Sequence, residues 1–178
     1  PLARALPSLT PRLSPRSSPS PRLCSEWGDT GPVALKGVAS GADAKQAMET
    51  GFGAVWVSNH GGRQLEDSVA TFDVLPEVRK AVGPDVEVIL DGGVRRGIDV
   101  VKAIARGADS VACGRAYLFG LAAGGFNGVD KSLSLLSRDL YLAMGLLGCR
   151  SVAELKEKAP LALKKADPWG EQFPGKSM

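Results

Sequence analysis

The only histidine of the chain, His60, lies in the stretch Ser58-Asn59-His60-Gly61-Gly62-Arg63-Gln64-Leu65. An imidazole takes up a proton near neutral pH, and a guanidinium holds a carboxylate in two parallel hydrogen bonds. The glycines between His60 and Arg63 let a small molecule come close to the backbone. Together these groups suit the removal of a proton from a small acid whose carboxylate is clamped nearby. A histidine by itself is more often a structural residue; the arginine beyond a Gly-Gly pair is what makes this one specific.

Two further groups suit an anion. Asp91-Gly92-Gly93-Val94-Arg95-Arg96-Gly97 joins a carboxylate, glycines and two arginines just before a helical pattern. Glycine lets backbone N–H groups approach, a helix start adds positive potential, and arginine forks onto phosphate oxygens. Cys113-Gly114-Arg115-Ala116 repeats the theme. Either turn alone is equally well a tight turn with a surface arginine; two in succession favour a phosphate site. Lys36, inside the apolar run Ala34-Leu35-Lys36-Gly37-Val38, is a cation that the interior of a strand seldom tolerates without a partner. It is either a strand-end lysine reaching for water or a cation aimed at developing negative charge.

The elements that must position these groups alternate. Strands are expected in 32–38, 53–59, 86–93 and 110–116. Helical patterns are expected in 41–51, 70–83, with Thr71 as N-cap, and 96–108, where Ile98, Val101 and Ile104 share a face. Each strand is apolar throughout, which predicts cover on both faces. Alternation at roughly 20–30-residue intervals predicts βα units on a parallel sheet. Lys36, His60, Asp91 and Gly114 then fall at the C-terminal ends of successive strands, where parallel α/β folds place their sites. Beyond them, Leu133, Leu136, Leu140, Met144 and Leu147 form one helical face, and Ser151 with Glu154 predicts a capping box for a last helix.

The totals narrow the classes. The 178 residues are 44% hydrophobic and 23% charged, enough for one domain with a core. No run of about 18 apolar residues predicts a membrane span. Three scattered cysteines and one histidine argue against a disulfide framework and against a metal site. They favour a reducing, cytoplasmic setting. The formal charge of +3 comes from Arg4, Arg12, Arg16 and Arg22; without those four, 18 basic residues face 19 acidic ones, and no nucleic-acid footprint remains. Residues 1–31 are expected to be a disordered leader, because residues 1–23 hold six of the twelve prolines and no acid. Arg- and Ser-rich composition of this kind also resembles an organelle transit peptide. Residues 32–165 form the expected domain and 166–178 a polar tail. The ending Lys176-Ser177-Met178 does not match a peroxisomal serine-lysine-leucine address.

In order and spacing, LKGV, VSNHGGRQL, LDGGVRRGIDVVKA, GRAYLFGLA and LLGCRSVAEL resemble the C-terminal half of the FMN-dependent 2-hydroxy acid oxidases and dehydrogenases, from about Val33 to Ala159. The resemblance implies an α/β fold, the (β/α)8 TIM barrel, of which the four units correspond to strands five to eight. It implies FMN as cofactor, a small 2-hydroxy acid such as glycolate, lactate or mandelate as substrate, and oxygen or another redox carrier as electron acceptor. It implies that His60 is the general base and that Arg63 holds the substrate carboxylate. It assigns Lys36 and Ser58 to the flavin, and the loop of Asp91, Gly92, Gly93, Val94 and Arg95 to ribityl and phosphate. Gly114 and Arg115 become the second phosphate contact.

This sequence has Glu66 where the family usually has aspartate, and nothing in it corresponds to the first four barrel strands. The expectation is therefore a truncated form, with weak FMN binding and no turnover by itself. Open sheet edges predict pairing with a second copy. A catalytically inactive half-barrel that at most binds FMN or phosphate is the alternative. A third reading, a barrel like inosine-monophosphate dehydrogenase or isopentenyl-diphosphate isomerase, explains the Gly-Arg turns but not His60 with Arg63.

Overall fold

Valine-rich runs form four short strands, and in a computed structural model, which describes residues 20–27 and 30–163, all four lie parallel in one sheet. They are β1 (Ala34–Val38), β2 (Ala54–Val57), β3 (Glu87–Leu90) and β4 (Ser110–Val111). The helices are α1 (Ser20–Trp27), α2 (Gly41–Glu49), α3 (Thr71–Val82), α4 (Gly97–Ala105), α5 (Arg115–Leu146) and α6 (Val152–Ala162). The strand order is β1-β2-β3-β4 without reversal. An open doubly wound sheet reverses its order at a switch point. Winding in one direction, with a helix between successive parallel strands, is how a barrel wall is built. β1 and β4 are the two edges of this wall.

Among the described residues, the strands do not have both faces covered. Val55, Val57, Val88 and Leu90 are buried in one cluster with Ala44 and Ala47 of α2 and Leu75 and Val78 of α3. Each buried valine or leucine contributes roughly 1.5–3 kcal/mol. The alternate positions, Trp56 and Ile89, are only partly buried, and Lys36 is exposed. The apolar runs therefore reflect one packed face and one open face carrying large side chains, rather than helices on both sides. A second cluster joins Val100, Val101 and Ile104 of α4 to Met144 of α5 and Leu155 and Ala159 of α6.

Local chemistry sets the ends of the elements. Ser40 caps α2 by accepting from the Asp43 N–H at 3.1 Å. Thr71, expected to cap α3, is instead its first residue, and Ala70 holds the cap position. Ser151 caps α6 as expected, but the Glu154 carboxylate takes the N–H of Arg150 rather than that of its cap. α5 breaks at Gly124 and Gly125, where the backbone leaves the helical region. Gly97 opens α4 directly against the α5 backbone, and a side chain there would collide with Leu140. Its N–H donates to Asp139 at 2.7 Å.

The leader holds one correction. Ser20–Trp27 is helical although that stretch was expected to hold no helix. Pro21 stands in its first turn, where the N–H that proline lacks would have no intrahelical acceptor. Cys24 packs against the main cluster. The rest of the expected leader before Ser20, and the expected tail, lie outside the described residues.

Candidate active site

Parallel register carries the chemistry-bearing loops to one end of the sheet. Lys36 pairs with Trp56 in the ladder and Trp56 with Ile89. Ser58, Asp91 and Ala112 therefore leave their strands side by side, and their N–H groups still donate to Val38, Val57 and Leu90. His60 and Arg95 follow β2 and β3 at this same end.

Three of the expected residues form one hydrogen-bonded group. The Lys36 ammonium donates to Ser58 Oγ at 2.9 Å and lies 3.0 Å from an Asp91 carboxylate oxygen. It also sits 5.2 Å from the centroid of the Trp56 ring, within cation–π range. The lysine is thus the partnered one of the two expected kinds. Ser58 is 2% exposed, and its oxygen also accepts the His60 N–H at 3.2 Å. One buried hydroxyl so joins the lysine of β1 to the turn that bears the histidine.

That turn is left-handed throughout: φ is 56° at His60, 71° at Gly61 and 71° at Gly62. Glycine takes this conformation freely, whereas a non-glycine residue in it is strained and needs its surroundings to hold it. The imidazole lies over Gly37, whose own φ is 101° at an irregularity in β1. A Cβ there would stand 3.3 Å from His60 Cε1. His60 and Arg63 are both exposed. Arg63 has no hydrogen-bond or ion-pair partner among the described residues, and neither has the side chain of Arg95.

The Asp91–Arg95 loop is shaped by two left-handed glycines, Gly92 with φ 99° and Gly93 with φ 87°. Gly92 is pressed against Thr71 Oγ1, while Gly93 faces open space. Val94, assigned with its neighbours to the cofactor loop, turns its side chain into the second core at 6% exposure; only its backbone is left for a ligand. The N–H groups of Arg95 and Arg96 donate to Asp99 at 3.1 and 3.0 Å. Burial opposes the charge on Asp99, but these hydrogen bonds and the Arg96 guanidinium hold its carboxyl below the usual range. Gly114 faces open space and Arg115 opens α5, whose first turn has no side-chain cap and no acid. These residues fit the phosphate end of a cofactor: backbone amides beside left-handed glycines, plus an arginine with no competing carboxylate.

Sequence reasoning missed three participants and one contact. Thr71, 4% exposed, donates from Oγ1 to the Asp91 carbonyl at 2.6 Å. Asn59 has a buried side-chain oxygen without a partner, facing Gly92. Trp56 lies beneath Lys36. The missed contact belongs to Arg115, expected at the phosphate, which donates to the Gly61 carbonyl at 3.3 Å. Strand alternation in AVWVS, which puts Trp56 and Ser58 on one face, was the signal for the tryptophan. Nothing local marks Thr71, Asn59 or the contact made by Arg115.

Residues 13–161 match the family model described as FMN-dependent dehydrogenase. The chain is 50% identical over 124 residues to an L-lactate oxidase of Nostoc sp., covering 70% of this chain and 34% of that protein. It is 48% identical over 138 residues to 2-hydroxyacid oxidase 1 of Homo sapiens, covering 75% and 37%. It is 52% identical over 129 residues to a pre-mycofactocin synthase of Mycobacterium tuberculosis, covering 72% and 32%. Among solved structures, a lactate oxidase of Pediococcus acidilactici superimposes with TM-score 0.73 at 42% identity, over 78% of this chain and 39% of that one. A mandelate oxidase bound to (S)-4-hydroxymandelic acid gives 0.74 at 41%, over 80% and 39%. These neighbours are TIM-barrel hydroxy acid oxidases, and the parallel sheet described here corresponds to part of such a barrel. The chain spans about a third of the length of the curated relatives it matches.

Proposed function

The chain belongs to the FMN-dependent dehydrogenase family, and we propose that it forms the base-and-phosphate half of an enzyme that oxidises a small L-2-hydroxy acid, of the glycolate, lactate or mandelate class, to the 2-oxo acid. One observation carries the reading. The end of the sheet that bears His60 also bears the Lys36–Ser58–Asp91 group and two arginines, Arg63 and Arg95, without partners among the described residues.

Arg63 binds the substrate carboxylate through two parallel hydrogen bonds. His60 accepts one of the two protons that leave as the carbinol carbon becomes a carbonyl. Lys36, held by Asp91 and Ser58, keeps a fixed positive charge on the open inner face of the sheet, where negative charge develops. Gly92, Gly93, Arg95, Gly114, Arg115 and the backbone of Val94 hold the phosphate end of FMN. The flavin, when bound, accepts the two electrons. The onward electron acceptor would be oxygen or another redox carrier.

The pre-mycofactocin synthase among the relatives bears a name that is not a hydroxy acid oxidase's, so identity alone does not choose the substrate. A carboxylate clamp beside a base favours the hydroxy acid. The decisive experiment grafts residues 33–159 in place of the matching part of human 2-hydroxyacid oxidase 1. The graft is expected to load FMN and to be bleached anaerobically by glycolate, lactate or mandelate. A graft that folds and loads FMN but is bleached by none of them overturns the reading.

Among the described residues the inner face is open and the edges of β1 and β4 are unpaired, which favours a second reading for the chain by itself: an inactive half-barrel that holds FMN weakly and covers its edges with a second copy. Solution mass and FMN titration of the 178-residue chain test this. A monomer that binds FMN tightly and turns over a hydroxy acid would refute it.

A further inference from the structure

We propose that Arg115 is a positioning residue for His60, acting through the carbonyl of Gly61. Three consecutive left-handed residues, His60, Gly61 and Gly62, form the turn. Such a turn keeps a histidine in place only when other groups fix it. Two of its supports are local: Ser58 Oγ accepts the His60 N–H at 3.2 Å, and the Asn59 carbonyl accepts the Gly62 N–H at 3.0 Å. These set the turn's shape but not its attitude on the sheet. Two supports come from elsewhere. Gly37, on β1, bounds the imidazole from one side. Arg115, at the start of α5, reaches across β3 to donate from Nη2 to the Gly61 carbonyl at 3.3 Å, bridging 54 residues of sequence. Gly61 is also close-packed on that guanidinium: a Cβ there would lie 3.5 Å from Nη2. The turn is held between β1 and the residue that follows β4, and Arg115 is the only side chain that sets its far side among the described residues.

The inference deepens the reading above, because Arg115 also belongs to the proposed phosphate turn. One residue would then tie the phosphate end of the site to the base. The test uses neither flavin nor substrate, so it stands or falls apart from the assigned reaction.

His60 is the chain's single histidine, so its imidazole Cε1–H gives one NMR signal. Trypsin cleavage after Arg63 reports on opening of the same loop. Arg115→Gln is expected to move the His60 signal toward that of a free histidine peptide. It should also speed cleavage after Arg63 by about tenfold, the scale of one lost charge-assisted hydrogen bond. Arg115→Lys, which keeps a donor but not the fork, should restore part of both. Arg150→Gln, at an exposed arginine before α6, should change neither. A natively helical Arg115→Gln chain with an unchanged His60 signal and cleavage rate overturns the proposal. If that variant loses its helical spectrum, the unsubstituted chain decides: a nuclear Overhauser contact between the Arg115 side chain and the Gly61 α-protons is required, and its absence is equally fatal.

Discussion

The two ends of the sheet spend arginine differently. At the end where β3 and β4 begin, Arg79 of α3 donates to the carbonyls of Gly107, Gly83 and Val86 at 2.8, 2.7 and 2.8 Å and pairs with Asp109. Asp109 in turn accepts the Val88 N–H at 2.8 Å and the Lys156 ammonium at 2.7 Å. α3, β3, β4 and α6 are joined there, although Arg106, next to Gly107, keeps a buried Nε without a partner among the described residues. At the other end, Arg63 and Arg95 have no such partners, the histidine sits in a strained turn, and a buried asparagine oxygen is unsatisfied. A fold built for stability alone would not leave these groups so. Barrel folds separate the tasks in this way, with binding at the strand C-termini and stability at the opposite end. Substitutions at the two ends should therefore fail in different assays.

The largest effect is expected at the strand C-termini and in catalysis only. In the grafted enzyme, His60→Ala should slow reduction of bound flavin by about 10²–10⁴-fold, the scale of general-base catalysis, with flavin binding nearly intact. Anaerobic stopped-flow bleaching measures it. A wild-type bleaching rate would remove His60 from the mechanism and make the two ends alike.

At the opposite end the loss should be in stability. Arg79→Ala strands three carbonyls and removes a guanidinium from a mostly buried carboxylate, a cost of roughly 3 kcal/mol in urea unfolding. The same cluster predicts a pH dependence. Burial opposes the charge on Asp109, but hydrogen bonds from Lys156 and Val88 and the Arg79 charge outweigh it, so its carboxyl lies below the usual range. A depressed carboxyl stabilises the fold fully above its unfolded pKa of about 3.9 and loses that contribution as pH falls through the lower, folded value. The urea midpoint should fall between about pH 5 and pH 2, and fall less in Asp109→Asn. An equally steep fall in that variant would assign the acid sensitivity elsewhere.

Legibility in the sequence divides along the same line. The C-terminal end was readable because its residues break local rules. A lysine in an apolar strand, glycines beside arginines and a lone histidine after a strand all ask for an explanation. The parallel order followed from strand-helix alternation. What escaped depends on long-range placement. Arg79 and Asp109 are ordinary in sequence, 30 residues apart, and become a clasp only when α3 meets the loop that leads into β4. The link from Arg115 to Gly61 is hidden in the same way. Thr71 was misread because threonine before an apolar run is a good cap in isolation, whereas the Asp91 carbonyl outcompetes that use here. The strands misled about cover, because an apolar run does not distinguish a helix-packed face from one that carries Trp56 and Ile89 toward an open side.

Thr71 gives a smaller test, since it sits at the binding end yet does structural duty. Thr71→Val keeps the shape and deletes the hydroxyl that donates to the Asp91 carbonyl, so it should cost about 1–2 kcal/mol in urea unfolding. In the graft it should also weaken FMN, because Asp91 and Gly92 start the phosphate loop. A loss of stability with no change in flavin affinity would confine Thr71 to the structural role.

The smallest effect is the sharpest for the comparison. Arg63→Ala and Arg95→Ala should each leave the unfolding free energy within about 0.5 kcal/mol of the parent chain, the range of surface substitutions that touch no special feature. The reasoning follows from their partners. Neither guanidinium satisfies a carbonyl or a carboxylate among the described residues, so deleting it strands nothing, and both are exposed, so little packing is lost. Arg95 should even free the fold from a like charge beside Arg96. The same two substitutions should be costly once a ligand is present. Arg95→Ala should weaken FMN in the graft, and Arg63→Ala should raise the hydroxy acid concentration needed for half-maximal bleaching. Each removes a charge-assisted contact, of about 1.5–3 kcal/mol, that only the ligand completes. Urea titration of the variants with and without FMN separates the two contributions. If either arginine destabilised the ligand-free chain as Arg79 does, it would be holding structure, and the division between a binding end and a structural end would fail at that residue.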